Sequence, residues 1–115
     1  MIISIDFDGT IVEDRYPEIG YLKPGAKKVI QRLHEEGHKI IINTCRVGDL
    51  ERNCVNFLLE KKIPFDRIND NLPELVAKYG TNCRKISADI HIDDHNILGL
   101  PSWEEIYELI QSRHA

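Results

Sequence analysis

Short apolar runs alternate along this chain with stretches of helical period, and that alternation leaves few folds open. IISI at 2–5 is a short run rich in β-branched isoleucine, the pattern of a strand buried on both faces, and KIII at 39–42 is a second. Between them Ala26, Val29, Ile30 and Leu33 fall at i, i+3, i+4 and i+7, and Gly37 stands where a helix-terminating glycine belongs, so a helix is expected from Pro24. Asp49 is positioned to cap another helix running through Leu50, Cys54, Phe57 and Leu58 to about Lys62. FDRIN at 65–69 is a short strand candidate. Leu72, Leu75, Val76 and Tyr79 again show helical spacing, with Asn71 as cap, Glu74 three residues on and Gly80 as stop. ADIHI at 88–92 reads as a further strand, and SWEE opens a last helix with Ser102 and Glu105 as a capping box, ending about Ser112. The order β-α-β-α-(β)-α-β-α predicts an α/β fold: a doubly wound, Rossmann-like three-layer sandwich around a mostly parallel sheet.

The chain has 115 residues, near the commonest domain size, so one domain spanning 1–115 is expected. A chain of that length buries enough surface to fold without disulfides or a structural metal. Its net charge of −4 argues against a nucleic-acid binder that relies on a broad basic face. Cys45, Cys54 and Cys83 form no C-x-x-C pair and read as free thiols in a reducing compartment. The N-terminus lacks the basic flank and apolar stretch of a secretory signal, and no apolar run approaches the ~20 residues of a membrane span. A cytoplasmic protein with no membrane partner is therefore expected. The long stretch without a period is Gly9 to Lys23, and such stretches inside compact domains are often functional.

Ligands of open parallel sheets bind outside the carboxyl ends of the strands. Here those ends carry Asp6 and Asp8, then Asn43-Thr44-Cys45-Arg46, then Asp93-Asp94. Side chains two apart on an extended segment share a face, so Asp6 and Asp8 are expected to look into one crevice while Phe7 turns into the core. If the first and last strands are neighbours, up to four carboxylates converge, and like charges that close destabilise the site. A divalent cation relieves the repulsion, and all-oxygen ligands suit Mg²⁺. Asp before Gly is an ordinary turn signal by itself. Two acidic strand ends in one crevice are not.

DFDGTIV resembles the first motif of the haloacid dehalogenase-like superfamily, a hydrophobic strand followed by D-x-D-G-T. INT is similar to its second motif, a strand ending in Thr or Ser, and HIDD to its fourth, an acidic pair after the last core strand. A basic residue shortly before that pair is the third. The match runs in the family's order from Asp6 to Asp94. The resemblance implies that Asp6 is the nucleophile, forming an aspartyl-phosphate, and that Asp8 is the general acid and base. It implies that Thr44 hydrogen-bonds the transferring phosphoryl group and that a lysine balances its charge. Mg²⁺ would be held by Asp6, the backbone carbonyl of Asp8 and the acidic pair, with Asp94 touching the metal and Asp93 supporting it. Gly9 and Thr10, which close the first motif, are assigned with Arg46 to substrate contact. The family's dehalogenases lack the second acid and its ion-pumping ATPases replace it with Thr, so Asp8 points to a phosphatase acting on a phosphorylated substrate.

Motif order favours Lys85 as the lysine over Lys78, which sits mid-helix beside Val76 and Tyr79. Arg46, two residues after Thr44, is placed either near the crevice, where its planar fork suits an anion, or on the surface at a helix start. His91 and His95 straddle a strand-to-loop junction and so do not form a helical zinc pair. Cys45 is expected to be a buried, inert thiol. Trp103 reads as an anchor at a helix start. The gaps from Thr10 to Pro24 and from Arg46 to Lys85 leave no room for the cap domain that many relatives carry. A capless site suits a large substrate, or completion by a second copy of the chain, with Tyr16 and Tyr21 giving partial cover. Two other readings compete. A receiver-like signalling domain shares the acidic cluster, Thr and Lys, but places its acidic pair first. A non-catalytic Mg²⁺-binding module of the same fold has no need of Asp8. A P-loop is excluded for want of G-x-x-x-x-G-K-[ST].

Overall fold

The computed structural model describes residues 1–82 and 85–114, so Cys83 lies outside the described residues. Its β-branched runs become the strands β1 (Ile2–Asp6) and β4 (Lys39–Asn43), with β5 (Arg67–Ile68) and β6 (Ile90–Ile92) much shorter. Between β1 and β4 lie a hairpin, β2 (Val12–Arg15) and β3 (Glu18–Leu22), and helix α1 (Ala26–Glu35). Helices α2 (Asp49–Glu60), α3 (Pro73–Tyr79) and α4 (Trp103–His114) follow β4, β5 and β6.

The main sheet runs β5-β4-β1-β6 with every neighbour parallel, Ile3 lying opposite Ile40 and Ile90, and Ile5 opposite Ile42 and Ile92. One apolar cluster joins alternate residues of β1 and β4 (Ile3, Ile5, Ile40, Ile42) to Val29, Ile30 and Leu33 of α1, Cys54 and Leu58 of α2, and Ile106 and Ile110 of α4. Phe7 is wholly buried there, its ring edge-on to Phe57 at 5.9 Å. Ser4 and Ile41 are buried outside that cluster, on the opposite face. The right-handed return from β5 to β6 assigns α3 to that face, where it contributes no buried side chain. The architecture is the expected doubly wound α/β sandwich. Among the described residues no helix is long and apolar enough to cross a membrane.

Helix ends show how local chemistry sets these boundaries. Gly37 (φ +95°) closes α1 as expected, with His38 N–H donating to Leu33 O and Gly37 N–H to His34 O, the paired bonds of a Schellman motif. Ser102 Oγ and Glu105 bond reciprocally at the start of α4. Two expected caps differ. Asp49 is the first helical residue of α2 rather than its cap, and pairs with Arg52 at 3.0 Å. Asn71 does not cap α3, which starts at Pro73 without a side-chain cap. Its buried amide instead accepts from Ser87 N–H at 2.6 Å and donates to Asn82 Oδ1 and the Lys85 carbonyl. A buried amide needs partners for both ends, and the loop beyond α3 supplies them.

The hairpin occupies the stretch that carries no period. Of β2 only Val12 is buried, and a register shift between Val12 and Asp14 breaks the alternation. Gly20 is needed for the two strands to approach, because a Cβ there would lie 2.2 Å from the Glu13 carbonyl oxygen.

Candidate active site

Because β6 is the parallel neighbour of β1, the residues that follow Ile92 lie beside the carboxyl end of β1. Asp6, Asp93 and Asp94 are thereby brought together. The loop after β1 is folded onto this group. Thr10 Oγ accepts from Asp94 N–H at 3.0 Å, and its single proton serves Asp6 Oδ2 at 3.1 Å or Asp94 Oδ1 at 3.4 Å. Gly9 has φ +87°, and a Cβ there would lie 2.3 Å from Asp94 Oδ2, so only glycine lets the loop come this close. From α4, buried Trp103 donates Nε1–H to the Thr10 carbonyl at 3.1 Å. Trp103 is the helix-start anchor expected, and it also fixes this loop. Gly9 and Thr10, expected to meet the substrate, are both buried, and Thr10 bonds Asp6 and Asp94.

Burial, followed by the charge of Asp93 and the neighbouring Asp94 carboxyl, pushes Asp6 up to about 7, against the opposing hydrogen bond from Thr10. Asp93, Asp94 and His95 offer ligand atoms within 4.8 Å of one another and can hold a metal ion. His95 is 86% exposed, with Nε2 3.6 Å from Asp94 Oδ2, while Asp93 Oδ1 also accepts from His95 N–H. The carboxylates form a hard oxygen donor set whose repulsion a divalent cation relieves, which fits the expected metal chemistry. His95 was not among the expected ligands. His91 is exposed and lies outside the group.

Asp8 is paired with an arginine. Both its oxygens are gripped by Arg46, from Nε and Nη2 at 2.8 Å each. Arg46 does not lie on the surface, one of the two placements its position suggested, but is folded inward against Asp8. Its side chain is 0% exposed and its remaining contacts run to the carbonyls of Pro17 and Glu18. The Asp8 hydrogen bonds hold the guanidinium above its ordinary value despite burial. An arginine so deep in a small domain requires such a partner, and Asp8 is it.

Thr44 stands just beyond β4, half-buried, its Oγ accepting from Arg46 N–H at 3.1 Å. Asn69, in the left-handed region at φ +51°, clamps the Thr44 backbone from both sides at 2.8 Å. Sequence reasoning passed over Asn69; the available signal was an Asn ending the FDRIN strand, a residue type that tolerates that backbone. Lys85 is exposed, in a segment that Asn71 ties to the loop leaving β5. Lys78 is exposed on α3 with Nζ 5.4 Å from the Tyr79 ring centre, the solvated position expected. Cys45 is exposed, not buried as expected, because the chain leaves the sheet at Thr44; Cys54 is the buried thiol, pushed up to about 12 by burial.

No family model matches the chain, and no curated protein does. A solved structure, that of a conserved protein from Bacteroides thetaiotaomicron, matches with a TM-score of 0.90 and 38% identity, over 98% of this chain and 91% of that one. The chain belongs to that protein's family. Because the match leaves almost none of this chain out, the family shares the whole fold, hairpin and helices included.

Proposed function

We propose that the protein is a Mg²⁺-dependent phosphatase of the haloacid dehalogenase-like type, cleaving a phosphate ester through an aspartyl-phosphate. The observation that carries this reading is Asp6 at the carboxyl end of β1, packed against Asp93 and Asp94 and pushed up to about 7. Such crowding weakens the fold unless a cation and a phosphate use it. Asp6, the Asp8 carbonyl and Asp94 would hold Mg²⁺, with Asp93 beside them and His95 at the rim. The bound ion supplies charge neutralisation, keeping Asp6 ionised and screening the incoming phosphate.

The Asp6 carboxylate oxygen attacks phosphorus, and the bond to the ester oxygen breaks. Asp8 gives that oxygen its proton, then takes one from the water that attacks the phosphoryl group, so Asp6 is regenerated and phosphate leaves. Thr44 donates its hydroxyl proton to a phosphoryl oxygen, since its oxygen already accepts from Arg46 N–H. Lys85 is assigned the remaining charge balance. For the acid step Asp8 must carry its proton on a lone pair that the Arg46 fork leaves free. In that engaged state Asp8 favours a second reading, a non-catalytic Mg²⁺-binding module. Turnover separates the two. We expect phosphate release from an aryl phosphate such as 4-nitrophenyl phosphate, lost with a chelator and restored by Mg²⁺. Hydrolysis undiminished by the chelator would sink the metal-dependent reading, and Mg²⁺ binding without hydrolysis of any phosphorylated metabolite would establish the module.

A further inference from the structure

Arg46 joins parts of the molecule that the catalytic assignment treats separately. It stands between β4 and α2, yet its Nε and Nη2 hold Asp8 beyond β1, while Nη1 donates to Pro17 O at 3.0 Å in the β2–β3 turn and Nη2 to Glu18 O at 2.9 Å at the start of β3. Its guanidinium carbon lies 5.2 Å from the Tyr16 ring centre and 5.6 Å from that of Phe7. These bonds use the Nε hydrogen, one on Nη1 and both on Nη2, four of the five donors an arginine has. A surface salt bridge holds nothing so firmly. A desolvated fork is geometrically demanding, and an ammonium cannot reproduce it.

We infer that Arg46 is the positioning residue of this site, fixing the Asp8 carboxylate and locking the β2–β3 turn to it, so that turn and acid–base group act as one unit. The inference rests on the phosphatase reading for the role of Asp8, and on geometry alone for the lock. The turn carries Tyr16, which is 55% exposed and so open to whatever approaches the site. A leaving group that displaces the turn therefore displaces Asp8.

The test is a cycle of Arg46→Met and Asp8→Asn, with Arg46→Lys as the conservative variant, assayed on 4-nitrophenyl phosphate with Mg²⁺. Each single change is expected to lower kcat about 100-fold with KM held within about threefold, the scale of a lost acid–base group. Adding Arg46→Met to Asp8→Asn should cost less than about threefold more, because Arg46 acts through Asp8. Effects that multiply, or a KM that carries the loss, overturn the proposal and leave the phosphatase reading standing. Amide hydrogen exchange over residues 14–19 needs no turnover. Asp8→Asn should speed it in the wild-type background and not further in Arg46→Met or, if that variant does not fold, in Arg46→Lys. Exchange unmoved by Asp8→Asn overturns the lock whatever the activity. A coupled exchange response in a wild type that hydrolyses nothing supports the lock and removes the phosphatase reading instead.

Discussion

Asp6 is the residue at which stability and the proposed function oppose each other. Its carboxyl titrates near 7 in the fold against 3.8 when free, so between those values the folded protein binds more protons than the unfolded chain. Stability must then fall as pH rises through that window and level off above it. Urea midpoints of the metal-free protein should drop between about pH 4 and pH 7. Asp6→Asn should flatten that slope, and saturating Mg²⁺ should do the same by favouring the ionised form; a slope unchanged by both would place the titration elsewhere. Gly9 offers a second test at this scale. Gly9→Ala must accept φ +87° and a Cβ 2.3 Å from Asp94 Oδ2, so a loss of about 1–3 kcal/mol is expected in denaturation, together with weaker Mg²⁺ binding in calorimetry. Wild-type affinity in that variant would show that Asp94 does not need the loop where it is.

Among the elements, the site depends on a helix that lends it a single hydrogen bond. Buried Trp103 of α4 reaches the Thr10 carbonyl across 93 residues of sequence, and Thr10 in turn holds Asp6 and Asp94. Trp103→Phe keeps most of the buried ring but leaves that carbonyl unpartnered. It should cost about 1–3 kcal/mol in thermal or urea unfolding and lower Mg²⁺ affinity. A variant as stable as wild type, with unchanged affinity, would reduce Trp103 to packing. The strands β1 and β4 were legible because a short isoleucine-rich run has one common use, burial on both faces. The hairpin was not, because Val12 is the sole buried residue of β2 and Gly20 of β3, so no alternation survives to be read. Asn71 misled for a related reason: its residue type suits a cap, and only the folded chain shows Ser87 and Lys85 claiming its amide.

For the whole molecule, the sheet order is what assembles the site. Placing β6 beside β1 brings Asp93 and Asp94, more than 80 residues away, to the end of the strand that carries Asp6. This convergence was legible from the acidic strand ends together with the rule that parallel sheets bind ligands there. The pairing of Asp8 with Arg46 was not. Spacing called for Asp8 at the strand end beside Asp6, but no period in the sequence announces a buried arginine that folds inward to hold both its oxygens. Kinship with the Bacteroides protein shows that this arrangement of strands and helices is a family's fold, at 38% identity over nearly the whole chain. The central claim is that Asp6 takes the phosphoryl group. Its most direct test is the rate at which Asp6→Asn, checked for fold by circular dichroism, releases phosphate from 4-nitrophenyl phosphate in saturating Mg²⁺. The account predicts a fall of at least about 1,000-fold in kcat; turnover at the wild-type rate would contradict it.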